Sequence, residues 1–386
     1  MPGTEPPFAA RTTWNLEPNR LARAVDRRRA AGKPLIDLTE SNPTRCGFVL
    51  DGLRLDAPLY EPDPRGLPEA RRAVAACYPG VAPEHIVLTS SSSEAYSHLF
   101  RLLADPGDRV LAPAPSYPLF EFLARLNDVE LAEYRLEFHG RWEIDFASLE
   151  AAAGSRTRTV IVVHPNNPTG SFVTPAEREE LVAFCRRRGL ALLADEVFLE
   201  YPLGPGAATF AGEDRILTFA FNGLSKSAAL PQMKLGWIAV SGPSAWRDDA
   251  LGRLEVIADT YLSVASPIQR ALPGLLGRRG EIQQRVRARL AANLGRLDAV
   301  LVAQSVCSRL PVEGGWSVVL RVPSVRSDEV RSDEDWAVEL VERDGVLVHP
   351  GHFFSFASEG YLVASLLAPE EAFAEGIGRV AARMLA

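Results

Sequence analysis

The sequence is poor in lysine. Of its 42 basic residues only Lys33, Lys226 and Lys234 are lysines and the other 39 are arginines. Chemistry that needs a primary amine therefore has three side-chain candidates. Cysteine is also sparse. Cys46, Cys77, Cys185 and Cys307 are scattered with no CxxC pair and no His/Cys cluster, which speaks against a disulfide framework or a zinc site and reads as reduced thiols in a cytoplasmic protein. No apolar run approaches the roughly 18 residues that span a bilayer. The opening MPGTEPPFAAR is polar and Pro-rich, unlike a secretory signal. A basic surplus is lacking too: the net charge of −7 argues against a nucleic-acid partner, because nothing global neutralises phosphates. The runs Arg27–Arg29 and Arg186–Arg188 fall in helix-like stretches and read as solvated helix faces.

What is present suits a large enzyme. A chain of 386 residues with 47% apolar content can bury a sizeable core and suggests two domains. Residues 19–31 read as a helix, and an irregular Pro/Gly-containing segment runs to about residue 66. Helix and strand signals then alternate. Ile86–Leu88 reads as a strand, and Ser90–Ser93 opens a helix with Ala95, Leu99 and Leu103 on one face. Arg109–Ala112, Thr159–Val163, Leu190–Ala194 and Ile216–Phe221 read as strands, with a helix over 175–188. These strands are continuous apolar runs without alternation, the pattern of a mainly parallel sheet covered by helices on both faces. A long helix over 276–304 leads to a smaller C-terminal α/β part with a strand at Trp316–Val322, a helix over 334–343 and a strand at Val346–His349. The division expected is an N-terminal arm contributing to the small domain (1–45), a large domain (46–275) and a small domain (276–386).

Three polar loops follow three of the buried strands: His164-Pro-Asn-Asn-Pro-Thr-Gly170, Asp195-Glu196-Val-Phe198, and Asn222-Gly-Leu-Ser-Lys226. Open α/β sheets bind ligands at the carboxyl ends of their strands, so an amide, a carboxylate and an amine converge on one edge. Each loop alone has a plainer reading. NNPTG suits a turn, Asp195-Glu196 suits a helix cap or a surface pair, and most lysines lie on the surface. Three such loops in succession, in a chain with three lysines, favour a site.

The order NPTG, then DE, then SK resembles the class I/II aminotransferases of fold type I, the aspartate-aminotransferase-like pyridoxal-phosphate enzymes. So do the separations of 28 residues from Asn167 to Asp195 and 31 from Asp195 to Lys226. The likeness extends from about Asn42 to the C-terminus. It implies a large domain with a sheet of the seven-stranded type, a smaller α/β domain, and pyridoxal 5'-phosphate as cofactor. It implies that Lys226 carries the cofactor as a Schiff base and shuttles the α-proton. It further implies that Asp195 faces the pyridine nitrogen, Asn167 bonds the ring's phenolic oxygen and Tyr117 stacks on the ring. The phosphate is expected at Ser91, Ser92 and Ser93, at a helix start where free N–H groups and the dipole favour an anion; plain N-capping is the alternative use of these serines. Lys234 would add a cation there. Tyr60 resembles a tyrosine that reaches the neighbouring subunit's phosphate, which implies a homodimer with shared sites.

The resemblance has three departures. Phe198 stands where the family has a tyrosine whose phenol bonds the cofactor oxygen, so a retuned, raised imine pKa is expected; Tyr201 could substitute only if the turn bends back. Gly223 stands where a phosphate-binding serine is common, and Ser225 is the candidate compensation. Val363, in Tyr361-Leu-Val-Ala-Ser365, replaces the arginine that clamps a substrate α-carboxylate. Either another arginine has taken that role or the substrate is not an ordinary α-amino acid. His352 and Trp316 are candidate pocket residues, with a loop histidine and a small-domain core tryptophan as the plainer readings. The resemblance thus implies an aminotransferase acting on a small-molecule amino donor and a keto acceptor, with no membrane partner. A lyase or related carbanion enzyme using the same cofactor is the alternative. A non-catalytic sensor ranks last, because the roughly forty residues before the likeness carry no helix-turn-helix pattern.

Overall fold

The computed structural model describes residues 17–48, 62–303, 306–326 and 329–385. Tyr60 lies outside these residues. The strands of the large sheet are β1 (Ile86–Thr89), β2 (Arg109–Ala114), β3 (Glu130–Phe138), β4 (Trp142–Ile144), β5 (Thr157–Val163), β6 (Ala191–Asp195), β7 (Thr218–Gly223) and β8 (Gly236–Ser241). They pair in the order β1-β8-β7-β6-β5-β2-β3-β4. From β7 through β6, β5 and β2 to β3 every pairing is parallel. Only β8 and the short β4 run against their neighbours. Seven strands thus make the expected sheet, and the three-residue β4 closes a hairpin on its edge to give eight.

The central strands are buried along their length because helices cover both faces. The residues of β6 alternate between two hydrophobic clusters: Leu192 and Ala194 pack into one, Ala191 and Leu193 into the other. This is why the sequence shows continuous apolar runs. Helix ends are set by local chemistry. Helix α1 (Ser92–Leu103) is capped by Ser91, whose side chain accepts from the Glu94 N–H. Helix α2 (Pro175–Arg188) opens with a Thr174/Glu177 capping box and closes on Gly189 in the left-handed conformation. Its three terminal arginines lie in the last turn, where the helix dipole favours cations.

Helix α3 (Ser266–Val302) is ten residues longer at its start than the leucine spacing suggests. Pro267 sits in its first turn, where a missing N–H costs nothing; Pro273 lies inside the helix. Ile268, Leu272, Leu275 and Leu276 belong to the large-sheet core. Ile282, Val286, Leu290 and Leu297 belong to a second core with the C-terminal elements. One helix therefore passes from one core into the other between Leu276 and Ile282.

The second core holds an antiparallel sheet, β9 (Ser308–Arg309), β10 (Ser317–Arg321), β11 (His349–Pro350) and β12 (Tyr361–Ser365), in the order β9-β10-β12-β11. The single strand expected at Val346–His349 is divided. Val346–Leu347 pairs in parallel with Ile36–Asp37 near the N-terminus, whereas β11 pairs with β12. The chain changes partners at Val348. That exchange brings the residues after Ile36–Asp37, Thr39 and Ser41, to the same cavity as β12.

Candidate active site

Strands β5, β6 and β7 lie side by side, and at their carboxyl ends stand Asn167 in the loop after β5, Asp195 as the last residue of β6 and Lys226 in the short helix Leu224–Ser227 after β7. All three residues line one cavity of about 350 Å³, together with Tyr117, Ser92 and Ser225. Val363 and Trp316 form part of its opposite wall. Within each polar pair the fold selects one member. Asn166 is a loop staple: it accepts from the Ser116 hydroxyl at 2.7 Å and donates to the Pro115 carbonyl at 3.0 Å. Asn167 is left to face the cavity, where the Ser317 hydroxyl donates to it at 3.3 Å. Likewise Glu196 turns away and accepts from the Thr209 hydroxyl and the Phe210 N–H, both at 2.5 Å. Burial pushes its carboxyl up to about 7.

Asp195 is buried and points into the cavity. Burial raises it to about 6, opposed by the N–H of Val197, by the Tyr96 hydroxyl and by the charge of Lys226. The Val197 N–H donates to Oδ1 at 3.2 Å and the Tyr96 hydroxyl donates to Oδ2 at 3.0 Å. Tyr96 sits on α1 and is fixed by tilted and edge-on contacts with Phe100, Phe120 and Phe221. Sequence reading missed it, although its place in α1, whose start carries the three candidate serines, was a usable signal.

Lys226 is held from behind. The Tyr201 hydroxyl donates to its backbone carbonyl at 2.6 Å, and the Gln283 side chain donates to the Ser227 carbonyl at 2.8 Å. Glu200 accepts from Asn222 and Ser227 at 3.1 Å each. Tyr201 therefore does not stand in for the hydroxyl absent at Phe198; its own is committed to the lysine backbone. The Lys226 ammonium lies 5.9 Å from the Phe198 ring centroid and 5.6 Å from that of Trp316. Burial lowers its pKa, Asp195 opposes this, and the nearby Lys234 charge lowers it further. A buried amine with a depressed pKa holds a larger neutral, nucleophilic fraction.

The three serines separate. Ser91 is the cap of α1, Ser92 lines the cavity, and Ser93 shares a hydrogen bond with the Tyr117 hydroxyl. Lys234 is exposed and does not line the cavity. Gly223 has a steric reason. A Cβ there would meet the Leu235 carbonyl oxygen at 3.0 Å and the Gly236 Cα at 3.1 Å, so a serine would press on backbone. Ser225, in the cavity wall, is the hydroxyl this turn offers. Trp316 answers to both of its readings: it is packed against Phe198 and Tyr201, and it lines the cavity. Its indole N–H is buried without a protein acceptor among the described residues, the kind of donor a ligand satisfies.

The candidacy of His352 is corrected. It is exposed and does not line the cavity; of the helical turn Gly351–Phe354 it is Phe354 that does. The histidine in the wall is His349, on β11. Val363 lines the cavity as read from the sequence, and no arginine does among the described residues. No group of His, Cys, Asp and Glu among the described residues could hold a metal ion. No described helix is long and apolar enough to cross a membrane.

Comparison with known proteins agrees with this geometry. The chain is 28% identical over 328 residues to nicotianamine aminotransferase 1 of Oryza sativa subsp. japonica, covering 78% of this chain and 64% of the rice protein. It is 29% identical over 365 residues to the alanine aminotransferase of Mycobacterium tuberculosis (strain ATCC 25618 / H37Rv), covering 86% of this chain and 81% of that protein. The chain thus spans less than two thirds of the rice relative's length. Its fold matches the solved alanine aminotransferase of Pyrococcus furiosus with a TM-score of 0.87 at 22% identity, covering 98% of this chain and 99% of that one. The family model described as "Aminotransferase class I and II" matches residues 60–371, and with most of its length so matched the chain belongs to that family.

Proposed function

We propose that the protein is a pyridoxal-phosphate-dependent aminotransferase that moves an amino group from an amino compound to a keto acid or aldehyde, with Lys226 as the catalytic amine. One observation carries this reading: a buried amine of depressed pKa and a buried carboxylate share one cavity at adjacent strand ends.

The donor set suits the cofactor. Ser92 in the first turn of the twelve-residue helix α1, with Ser225 in the same cavity wall, offers hydroxyls and helix N–H groups for a phosphate. Lys234 adds positive charge near Lys226. Asp195, held by Tyr96 and Val197, suits a ring nitrogen that must stay protonated. Asn167 suits the ring oxygen, and Tyr117 offers a ring face in the cavity wall. Bound there, pyridoxal phosphate supplies an electron sink for a carbanion at the substrate carbon. The chain's own work is to hold, orient and move protons. Lys226 Nζ takes the proton from the substrate carbon and returns it, and its depressed pKa suits that role. Phe198 and Trp316 keep water from the Nζ. The alternative, a lyase on the same cofactor, uses these same residues and differs in its products.

We infer further that the chain is divided near residue 275, as the change of core along α3 supports, and that it works as a homodimer in the cytoplasm. Exposed apolar residues support the dimer. Leu119, Phe122 and Leu126 lie on and beside helix Phe120–Leu126, and Trp246, Val256 and Tyr261 lie on helix Ser244–Tyr261. Both helices pack against α1. Cys46, Cys77 and Cys185 are free thiols, in keeping with a reducing compartment.

The test is an absorbance spectrum of the purified protein with pyridoxal phosphate. A band near the visible edge is expected, absent in Lys226→Ala, bleached by an amino donor and restored by a carbonyl acceptor. A bleached band with ammonia or a vinyl product and no restoration would indicate a lyase. No band at all would refute the reading.

A further inference from the structure

The cavity has two chemically different sides. The large-sheet side carries its charges, Asp195 and Lys226. Among the described residues, the side built from the small sheet and the N-terminal strand places no Asp, Glu, Lys or Arg side chain in the cavity wall. It offers hydroxyls at Thr39, Ser41, Ser317 and Ser365. Among the described residues its one basic side chain is His349, whose pKa burial lowers, so it stands as neutral imidazole near pH 7.

His349 and Val363 are directly opposed across the antiparallel pair β11–β12, and Val319 opposes Val363 from β10. Directly opposed residues share a face of the sheet. Behind Val363 lie Trp142, Leu310 and Phe354 in one apolar cluster. A carboxylate set against this wall would give up its water and meet only neutral donors. An unpaired buried charge costs several kcal/mol. An alcohol or amide in the same place loses far less, since His349, Ser41 and Ser365 can donate and accept, while Thr39 and Ser317, which donate to Asp37 and Asn167, can still accept.

We propose that the amino donor is a primary amine whose reacting carbon bears an uncharged substituent, not a carboxylate, and that Val363 and His349 set this choice. This rests on the aminotransferase reading above. In the exchange the donor carbon loses its hydrogen and its nitrogen and becomes a carbonyl, with oxygen taken from water. The acceptor carbonyl gains nitrogen and hydrogen and releases its oxygen as water, so no outside oxidant or reductant is needed. The acceptor meets the same wall and is an aldehyde or ketone under the same restriction.

The experiment mixes the holoenzyme with matched donors that differ in one group: L-alanine, L-alaninol and L-alaninamide, and the corresponding L-phenylalanine set. The readout is the single-turnover change in the cofactor band. The alcohol and amide are expected to react at least about tenfold faster than the acid, one charge-burial penalty of modest size. Val363→Arg should invert that ranking. His349→Ala should slow the alcohols toward the rate of unsubstituted alkylamines. An acid that reacts as fast as its alcohol in the wild type overturns the proposal, and so does a full panel that leaves an existing band untouched. The wild-type ranking decides even if Val363→Arg does not fold. Failure of the underlying reading looks different: the wild type then shows no band that Lys226→Ala removes.

Discussion

Replacing Tyr96 by phenylalanine removes one oxygen atom from the core and should change how Asp195 holds its proton. Asp195 accepts two hydrogen bonds from the protein, from Tyr96 at 3.0 Å and from Val197 at 3.2 Å. Burial keeps the Tyr96 phenol well above its ordinary pKa, so it stays a neutral donor. A hydrogen bond to an ionised group contributes about 1.5–3 kcal/mol, which is about one to two pKa units. Other groups that act on Asp195 or feel its charge, Lys226 in the helix Leu224–Ser227 and Tyr117 in the cavity wall, are unchanged. Asp195 should therefore move from about 6 to between roughly 7 and 8. The sign of the stability effect follows. A carboxyl whose folded pKa lies above its unfolded value of about 3.9 binds its proton more tightly in the folded chain. Its ionisation costs nothing below the unfolded pKa and costs most above the folded one. In the wild type this cost stops growing near pH 6; in Tyr96→Phe it should grow on to about pH 7–8. Urea unfolding of the cofactor-free protein at pH 5 and pH 8.5 measures it, with infrared detection of the Asp195 carboxyl and Asp195→Asn as the assignment control. The variant should lose about 1.5–3 kcal/mol more at the higher pH. An equal loss at both pH values, with the carboxyl signal unmoved, would show that the tyrosine only fills space.

Other outcomes follow from single contacts. Lys226→Ala should fold normally, since Tyr201 bonds the lysine's backbone and not its amine, and should lose the visible band entirely in an absorbance scan. Tyr201→Phe frees that carbonyl and should cost about 1 kcal/mol in chemical denaturation, with the band kept; a lost band would give Tyr201 a part in the chemistry. Gly223→Ser should destabilise by about 1–3 kcal/mol, because its Cβ meets backbone that cannot swing aside; an unchanged denaturation midpoint would refute the steric account. Phe198→Tyr places a phenol in the cavity wall beside Lys226 and should lower the pH midpoint of the spectral transition, whereas a titration that overlays the wild type would refute the expectation of a raised value.

The large sheet was legible because burial on both faces leaves a one-dimensional mark. Runs such as Thr159–Val163 and Leu190–Ala194 need no partner to be recognised, and Asn167, Asp195 and Lys226 follow such strands at fixed short distances. The helix read over 175–188 matches α2, and the structure shows why it starts there: Thr174 and Glu177 cap each other. Legibility ended where contacts join residues far apart in the chain. The partner change at Val348 depends on Ile36–Asp37, more than three hundred residues away. The bond from Tyr96 to Asp195 spans 99 positions. His349 and Val363 meet only because β11 and β12 pair, a juxtaposition that no local stretch of sequence shows.

By itself the sequence determined the chemical inventory, one amine with a carboxylate and an amide at the ends of buried strands, since residue identity and local periodicity are carried along the chain. The resemblance already pointed to Asp195 and Asn167 within their pairs; the tertiary structure alone decided why their neighbours Glu196 and Asn166 turn away, what holds Asp195 and Lys226, and that the described residues of the opposite wall carry no charged side chain. Those outcomes depend on side-chain direction at strand ends and on pairings between distant segments, and neither is written in any local stretch of residues.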